Sequence, residues 1–185
     1  DRYLDEEIPV VAVDHASGGR MAAEELLRCS CRNILHFCGS TAVESPYHQR
    51  HQEFEKCMAR RHCRTTMYEL EGNRLDSQYY QEVVEAVFSQ PFDYDGVFAV
   101  DWLAIECMNE ALRRGYKVPR DICFVSYDGT FLTNVVEPRM TTIVQPIAGL
   151  AKEAVRLLTD QIQGRKPQNK SVVLGVTLRK GHTTR

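Results

Sequence analysis

The 185-residue chain has no apolar run near the ~20 residues that a membrane helix requires, so no spanning segment is expected. Its first residues, Asp1 to Glu7, are acidic and lack the basic-then-apolar layout of a secretory leader. The chain does not begin with Met, which leads us to expect a natural product that starts further upstream. A Lys/Arg stripe is also missing. Lys and Arg total 23 against 25 Asp and Glu, a formal net charge of -2. Its nearest approach, Arg60-Arg61-His62-Cys63-Arg64, reads as a solvated helix end. A segment that gripped DNA phosphates by itself would usually be basic, so direct nucleic-acid contact is not expected of these residues. Asp14-His15-Ala16-Ser17-Gly18-Gly19 has two glycines for a tight turn into a helix, but neither the G-x-G-x-x-G spacing nor a following Lys-Ser/Thr. There is no G-x-S-x-G and no H-E-x-x-H. No base can be placed beside a nucleophile or cofactor loop, so the chain reads as a non-enzyme without a cofactor.

Seven cysteines are present: Cys29, Cys31, Cys38, Cys57, Cys63, Cys107 and Cys123. Their odd number and irregular spacing argue against a disulfide framework and for a reducing, cytoplasmic setting. Cys29, Cys31, His36 and Cys38 could in principle assemble four zinc ligands. C-x-C with H-x-C is not a common finger spacing, and a strand cysteine usually serves as a small hydrophobe, so no metal site is expected.

Along the chain, short β-rich runs alternate with longer helical stretches. Strands are expected at 8–13, 33–38, 65–70, 96–100, 122–126, 141–144 and 171–178. Helices are expected at 20–28, 48–60, 76–89, 102–114 and 147–163. Such alternation implies an α/β fold with parallel sheets covered by helices on both faces. Ligands in these folds sit at the carboxyl ends of strands.

The residues at those ends are polar. Arg50 follows the loop Gly39 to Pro46, where a guanidinium can bond sugar hydroxyls or a carboxylate; the plainer reading is a solvated helix arginine. Asp101 follows a strand and serves equally as an N-cap, with its second oxygen left for a ligand. Asp128 lies in a turn past the next strand, where an Asx-turn is the plainer reading. Tyr47, Trp102, Tyr127 and Phe131 are candidate apolar surfaces, though each is more often a core residue. The set suits a polyhydroxylated small molecule.

In order and spacing, these signals resemble the LacI/GalR family. The resemblance rests on Ile8 to Asp14, Gly19 to Leu27, Arg32-Asn33-Ile34, Arg50-x-x-Glu53-Phe54, Phe98 to Ala104, Gly115 to Ile122, Val125 to Asp128 and Met140 to Pro146. It covers nearly the whole chain. Cys31 and Glu53 stand where the family usually has glycine.

The resemblance implies a periplasmic-binding-protein-like core of two Rossmann-like lobes crossed three times by the chain, with an effector in the cleft. It implies that residues 1–31 end the first lobe, 32–137 build the second, 138–163 return to the first, and 164–185 return to the second. The first lobe is expected to be incomplete in this chain. Arg50, Asp101 and Asp128 are the implied effector contacts, joined by Trp102 and Tyr127. Arg74 stands where the family often has a stacking aromatic, which points to a phosphorylated or acidic sugar; Val100 stands where it often has asparagine. The implied protein is a repressor that binds a small sugar, forms a homodimer and meets operator DNA through a separate helix-turn-helix headpiece. The alternative is a sugar-binding protein of a transport system.

Overall fold

A computed structural model describes residues 8–39, 46–71, 76–165 and 171–185. The elements in order are β1 Val10–Val13, α1 His15–Arg28, β2 Asn33–Cys38, α2 Pro46–Arg60, β3 Arg64–Glu69, α3 Ser77–Phe88 and β4 Gly96–Val100. They continue with α4 Asp101–Arg113, β5 Cys123–Asp128, α5 Leu132–Val135, β6 Thr141–Val144, α6 Ile147–Ile162, β7 Ser171–Leu174 and β8 Thr177–Arg179. Among the described residues no helix is long and apolar enough to cross a membrane.

Two sheets organise these elements. The larger has strand order β3-β2-β4-β5-β6-β8, parallel except for β8, which runs antiparallel to β6. The smaller pairs β1 with β7 in parallel, Val10 opposite Ser171 and Val13 opposite Leu174. The expected parallel α/β architecture with two lobes is present. β2, β4 and β5 are almost wholly buried, as strands covered on both faces must be. One face carries Leu35, Phe37, Val97 and Phe124 against Val83, Leu103 and Met108 of α3 and α4. The other carries Ile34, Phe98, Val125 and Tyr127 against Ala22, Leu26, Phe54 and Met58 of α1 and α2.

The sheets divide the chain differently from the expected boundaries. β6 pairs with β5, Val125 opposite Thr141 through Asp128 opposite Val144, so 141–144 belong to the larger sheet and not to the first lobe. α1 packs on the larger sheet as well, sharing its buried cluster. β7 pairs with β1, so 171–174 lie in the smaller lobe, where α6 packs on both strands. The chain therefore crosses between lobes after Val13, after Val144 and after Leu174. The expected single strand 171–178 is broken at Gly175-Val176, because its two halves serve different sheets.

α1 begins five residues before the expected Arg20. Asp14 caps it, its Oδ1 accepting from the Ser17 backbone N–H at 2.8 Å. Gly18 and Gly19 are thus helical, and the reason is contact. A Cβ on Gly19 would lie 1.9 Å from the Arg50 carbonyl oxygen, and one on Gly18 would lie 2.6 Å from the Tyr127 ring. The two glycines let α1 press directly on α2 and on the end of β5.

Candidate functional site

The first turns of α1 and α2 meet at the carboxyl end of β5, where Gly18 and Arg50 both lie against Tyr127. Arg50 is only 5% exposed, although an isolated helix arginine would extend into solvent. Its guanidinium carbon lies 4.0 Å from the centre of the Tyr127 ring and 5.5 Å from that of Tyr47. Such stacking holds the planar cation without using its N–H groups. Its Nε and Nη1 have no hydrogen-bond partner. Arg50 is thus a fixed, buried charge with open donors.

Asp128 ends β5 with φ at +116°, a sparsely populated conformation for a residue with a side chain. The turn around it over-determines that geometry. Gln145 Nε2 donates to Asp128 Oδ1 at 2.7 Å, and the Gln145 backbone N–H donates to the Asp128 carbonyl at 3.2 Å. Gly129 follows with φ +72°, and a Cβ there would lie 2.7 Å from Val144 Cα. Burial raises the Asp128 carboxyl above the ordinary range, while the Arg50 charge pulls it down. Arg50 and Asp128 therefore form an opposed donor–acceptor pair at one sheet edge.

Asp101 does other work. Val100 holds the N-cap position of α4, and Asp101 is the first helical residue, 2% exposed. Its Oδ1 accepts from Ser126 Oγ at 2.6 Å and Thr142 Oγ1 at 2.9 Å; its Oδ2 accepts from the Thr130 backbone N–H at 2.6 Å. Both oxygens are committed to β5, β6 and the turn after Asp128. The expectation of an oxygen left for a ligand is corrected: Asp101 fixes the turn that presents Asp128. Tyr127 is likewise corrected from a ligand surface to a support. It is fully buried, Arg50 covers its face, and its hydroxyl sits 3.3 Å from His15 Nδ1. Burial pushes its phenol up to about 12.

Trp102 stands on the opposite face of the strand ends, 38% exposed, edge-on to Tyr80 at 5.7 Å, with Nε1 donating to Glu106 at 3.4 Å. Tyr80 in turn feels the Asp128 charge, behind burial, in the upward shift of its phenol. Arg74 lies outside the described residues.

Two participants, His15 and His51, were missed. His15 opens α1 and is 1% exposed; burial first, then the Arg50 charge, lowers its imidazole to about 4. Its signal in the sequence is its place two residues after a strand, at the start of a helix. His51 sits beneath Arg50, its Nδ1 3.4 Å from His36 Nδ1, and burial holds it well below its usual value. His36 had been weighed as a zinc ligand. Its Nε2 instead meets Glu55 Oε1 at 3.2 Å. Cys29 Sγ accepts from the Arg185 backbone N–H at 3.2 Å, and Cys31 Sγ donates to the Asp95 carbonyl at 3.2 Å. Among the described residues no group of three or more His, Cys, Asp or Glu could hold a metal ion.

Comparison with known proteins agrees with this geometry. A family model described as a periplasmic binding protein-like domain matches residues 23–184. The "Ribose operon repressor" of Halalkalibacterium halodurans is 33% identical over 90% of this chain and 49% of its own length. The "Sucrose operon repressor" of Pediococcus pentosaceus is 30% identical over 99% of this chain and 56% of its own. This chain thus spans about half the length of these curated relatives. Among solved structures, a periplasmic binding protein/LacI transcriptional regulator from Alkaliphilus metalliredigens, complexed with D-xylulofuranose, is 26% identical with a TM-score of 0.83. It covers 100% of this chain, which covers 68% of it. A periplasmic binding ribose operon repressor protein from Lactobacillus acidophilus shares the fold at a TM-score of 0.86 and 19% identity, over 100% of this chain and 68% of its own. With two α/β lobes, three crossings and these relatives, the chain belongs to the periplasmic binding protein-like domain family, in the form found in LacI-type operon repressors.

Proposed function

We propose that this chain is the effector-sensing part of a sugar-responsive transcriptional repressor. The observation that carries the reading is Arg50, buried yet with unbonded Nε and Nη1, opposed to Asp128 at the strand ends. A neutral polyol suits that pair, since each hydroxyl can accept from one group and donate to the other. Arg74 extends the effector class to phosphorylated or acidic sugars. The relatives named as ribose and sucrose operon repressors support a regulatory role without catalysis, in the cytoplasm.

Switching follows from the three crossings. Asp14 caps α1 directly after β1, so the larger lobe's α1 is tied to the smaller lobe at the site itself. An effector that binds one lobe arrangement more tightly shifts the population towards it. The net charge of -2 leaves operator contact to a headpiece outside these 185 residues. A homodimer fits the exposed apolar side chains of α5 and α6, namely Phe131, Val135, Val155, Leu158 and Ile162.

The test is the intact protein on the DNA upstream of its own gene, followed by fluorescence anisotropy while single sugars and sugar phosphates are added. One of them changes operator affinity in wild type and not in Arg50→Ala. No response to any member of the panel would contradict the proposal.

A further inference from the structure

Buried polar atoms in folded proteins almost always have a partner. Among the described residues six buried side-chain N and O atoms lack one, and four of them belong to His15, Arg50 and His51. Their concentration at one place distinguishes them from scattered packing faults.

His15 and Arg50 share two neighbours. The His15 ring lies 5.4 Å from the Tyr47 ring and 6.0 Å from that of Tyr127. Arg50 lies over the same two rings. The Arg50 guanidinium covers the face of the Tyr127 ring. The Tyr127 hydroxyl sits 3.3 Å from His15 Nδ1, where it can donate its proton. With Nδ1 accepting from the phenol, the neutral ring carries its own proton on Nε2, the atom without a partner. Arg50 Nε, Arg50 Nη1 and His15 Nε2 are thus without partners on two residues that share the Tyr47 and Tyr127 rings. His51 lies a layer deeper, against His36 and Phe98, and is not included. Tyr47 touches both residues and is 39% exposed, so it stands between the pair and solvent.

We propose that His15 is a specificity-determining residue of the effector site, donating from Nε2 to an oxygen of a sugar that Arg50 also holds. This rests on the reading of the Arg50–Asp128 edge as a sugar site. The ligand class is a monosaccharide with adjacent oxygens, one accepting from Arg50 and its neighbour from His15. Tyr47 yields its contact with the pair as the sugar enters. His15 also begins the helix that follows the first crossing, so the same bond joins ligand to hinge.

The experiment is calorimetric titration of the intact protein with D-ribose, D-xylose, D-glucose, D-galactose, D-fructose and their phosphates, then with the monodeoxy analogues of the tightest binder. Wild type, His15→Phe, His15→Asn, Tyr127→Phe and Arg50→Ala are compared, each with its thermal midpoint. His15→Phe keeps a ring and removes the donor. It weakens the tightest sugar by about tenfold or more, the scale on which a hydroxyl contact is discriminated. One monodeoxy analogue carries a similar penalty in wild type and none in His15→Phe. Tyr127→Phe frees the imidazole and falls between the two. Should His15→Phe fail to fold, His15→Asn and Tyr127→Phe carry the same comparison. Equal deoxy penalties in wild type and the variants, with Arg50→Ala still inactive, would overturn the role of His15 and leave the sugar site standing. No binding of any sugar by wild type would remove both.

Discussion

Gly19→Ala sets two physical effects against each other. In an isolated helix the change stabilises by about 1 kcal/mol, because glycine loses more backbone freedom on folding. Here the new methyl would lie 1.9 Å from the Arg50 carbonyl oxygen, 2.8 Å from its carbonyl carbon and 3.1 Å from its Cα. Ordinary contact is about 3.5 Å, so α1 and α2 must separate by roughly 1.5 Å. All three neighbours are backbone, and no side-chain rotation can relieve them. Overpacking of this kind costs about 1–3 kcal/mol, and a backbone contact belongs at the upper end. The net loss is about 2 kcal/mol. In urea, with a slope of about 2 kcal/mol/M for a domain of this size, the midpoint falls by about 1 M. Arg50 moves with its backbone, so sugar affinity falls too. A midpoint unchanged or raised would mean that propensity outweighs contact, and would refute the tight α1–α2 approach.

Acid should weaken the fold before the carboxylates titrate. His15 is depressed to about 4 in the folded chain, so the unfolded chain binds the proton first; stability is complete above pH 6.5 and is lost as pH falls towards 4. At pH 5 the loss from His15 alone is about 2 kcal/mol, or about 6 °C in thermal midpoint; His36 and His51 act in the same direction. His15→Asn flattens the profile between pH 7 and 5, and an identical slope in the variant would contradict the assignment. Asp101→Ala leaves Ser126, Thr142 and the Thr130 N–H without their acceptor, so a loss of about 3 kcal/mol is expected in denaturant midpoint. If Asp101→Ala is as stable as wild type, its role in holding the turn is wrong. The exposed faces of α5 and α6 predict concentration-dependent self-association of the intact protein by light scattering, and a strict monomer at high concentration counts against the homodimer.

The strands of the larger sheet were legible because burial on both faces demands unbroken apolar runs such as Val97-Phe98-Ala99 and Phe124-Val125. The start of α1 was not. Gly18-Gly19 reads locally as a turn, and only the Arg50 backbone and Tyr127 ring explain glycine inside a helix. Sheet membership was equally hidden. Nothing local in Thr141 to Val144 says that these residues pair with β5, since register depends on the partner strand. Arg50 and Asp128 could be placed from their positions after strands. Asp101 and Tyr127 were correctly located at the same edge, but their roles depend on which way the side chains turn. The setting of His15 was invisible because its ring contact, the Tyr127 hydroxyl, lies 112 residues away.

The central claim is that the Arg50–Asp128 edge binds the effector. Its most direct test is calorimetric titration of the intact protein with the same sugars and their phosphates, repeated on Arg50→Ala and Asp128→Asn. The account predicts saturable binding of at least one sugar by wild type, lost in Arg50→Ala and weakened at least tenfold in Asp128→Asn, on the scale of losing a charged hydrogen bond of about 1.5 kcal/mol or more. Equal binding by wild type and both variants would place the effector elsewhere and contradict it.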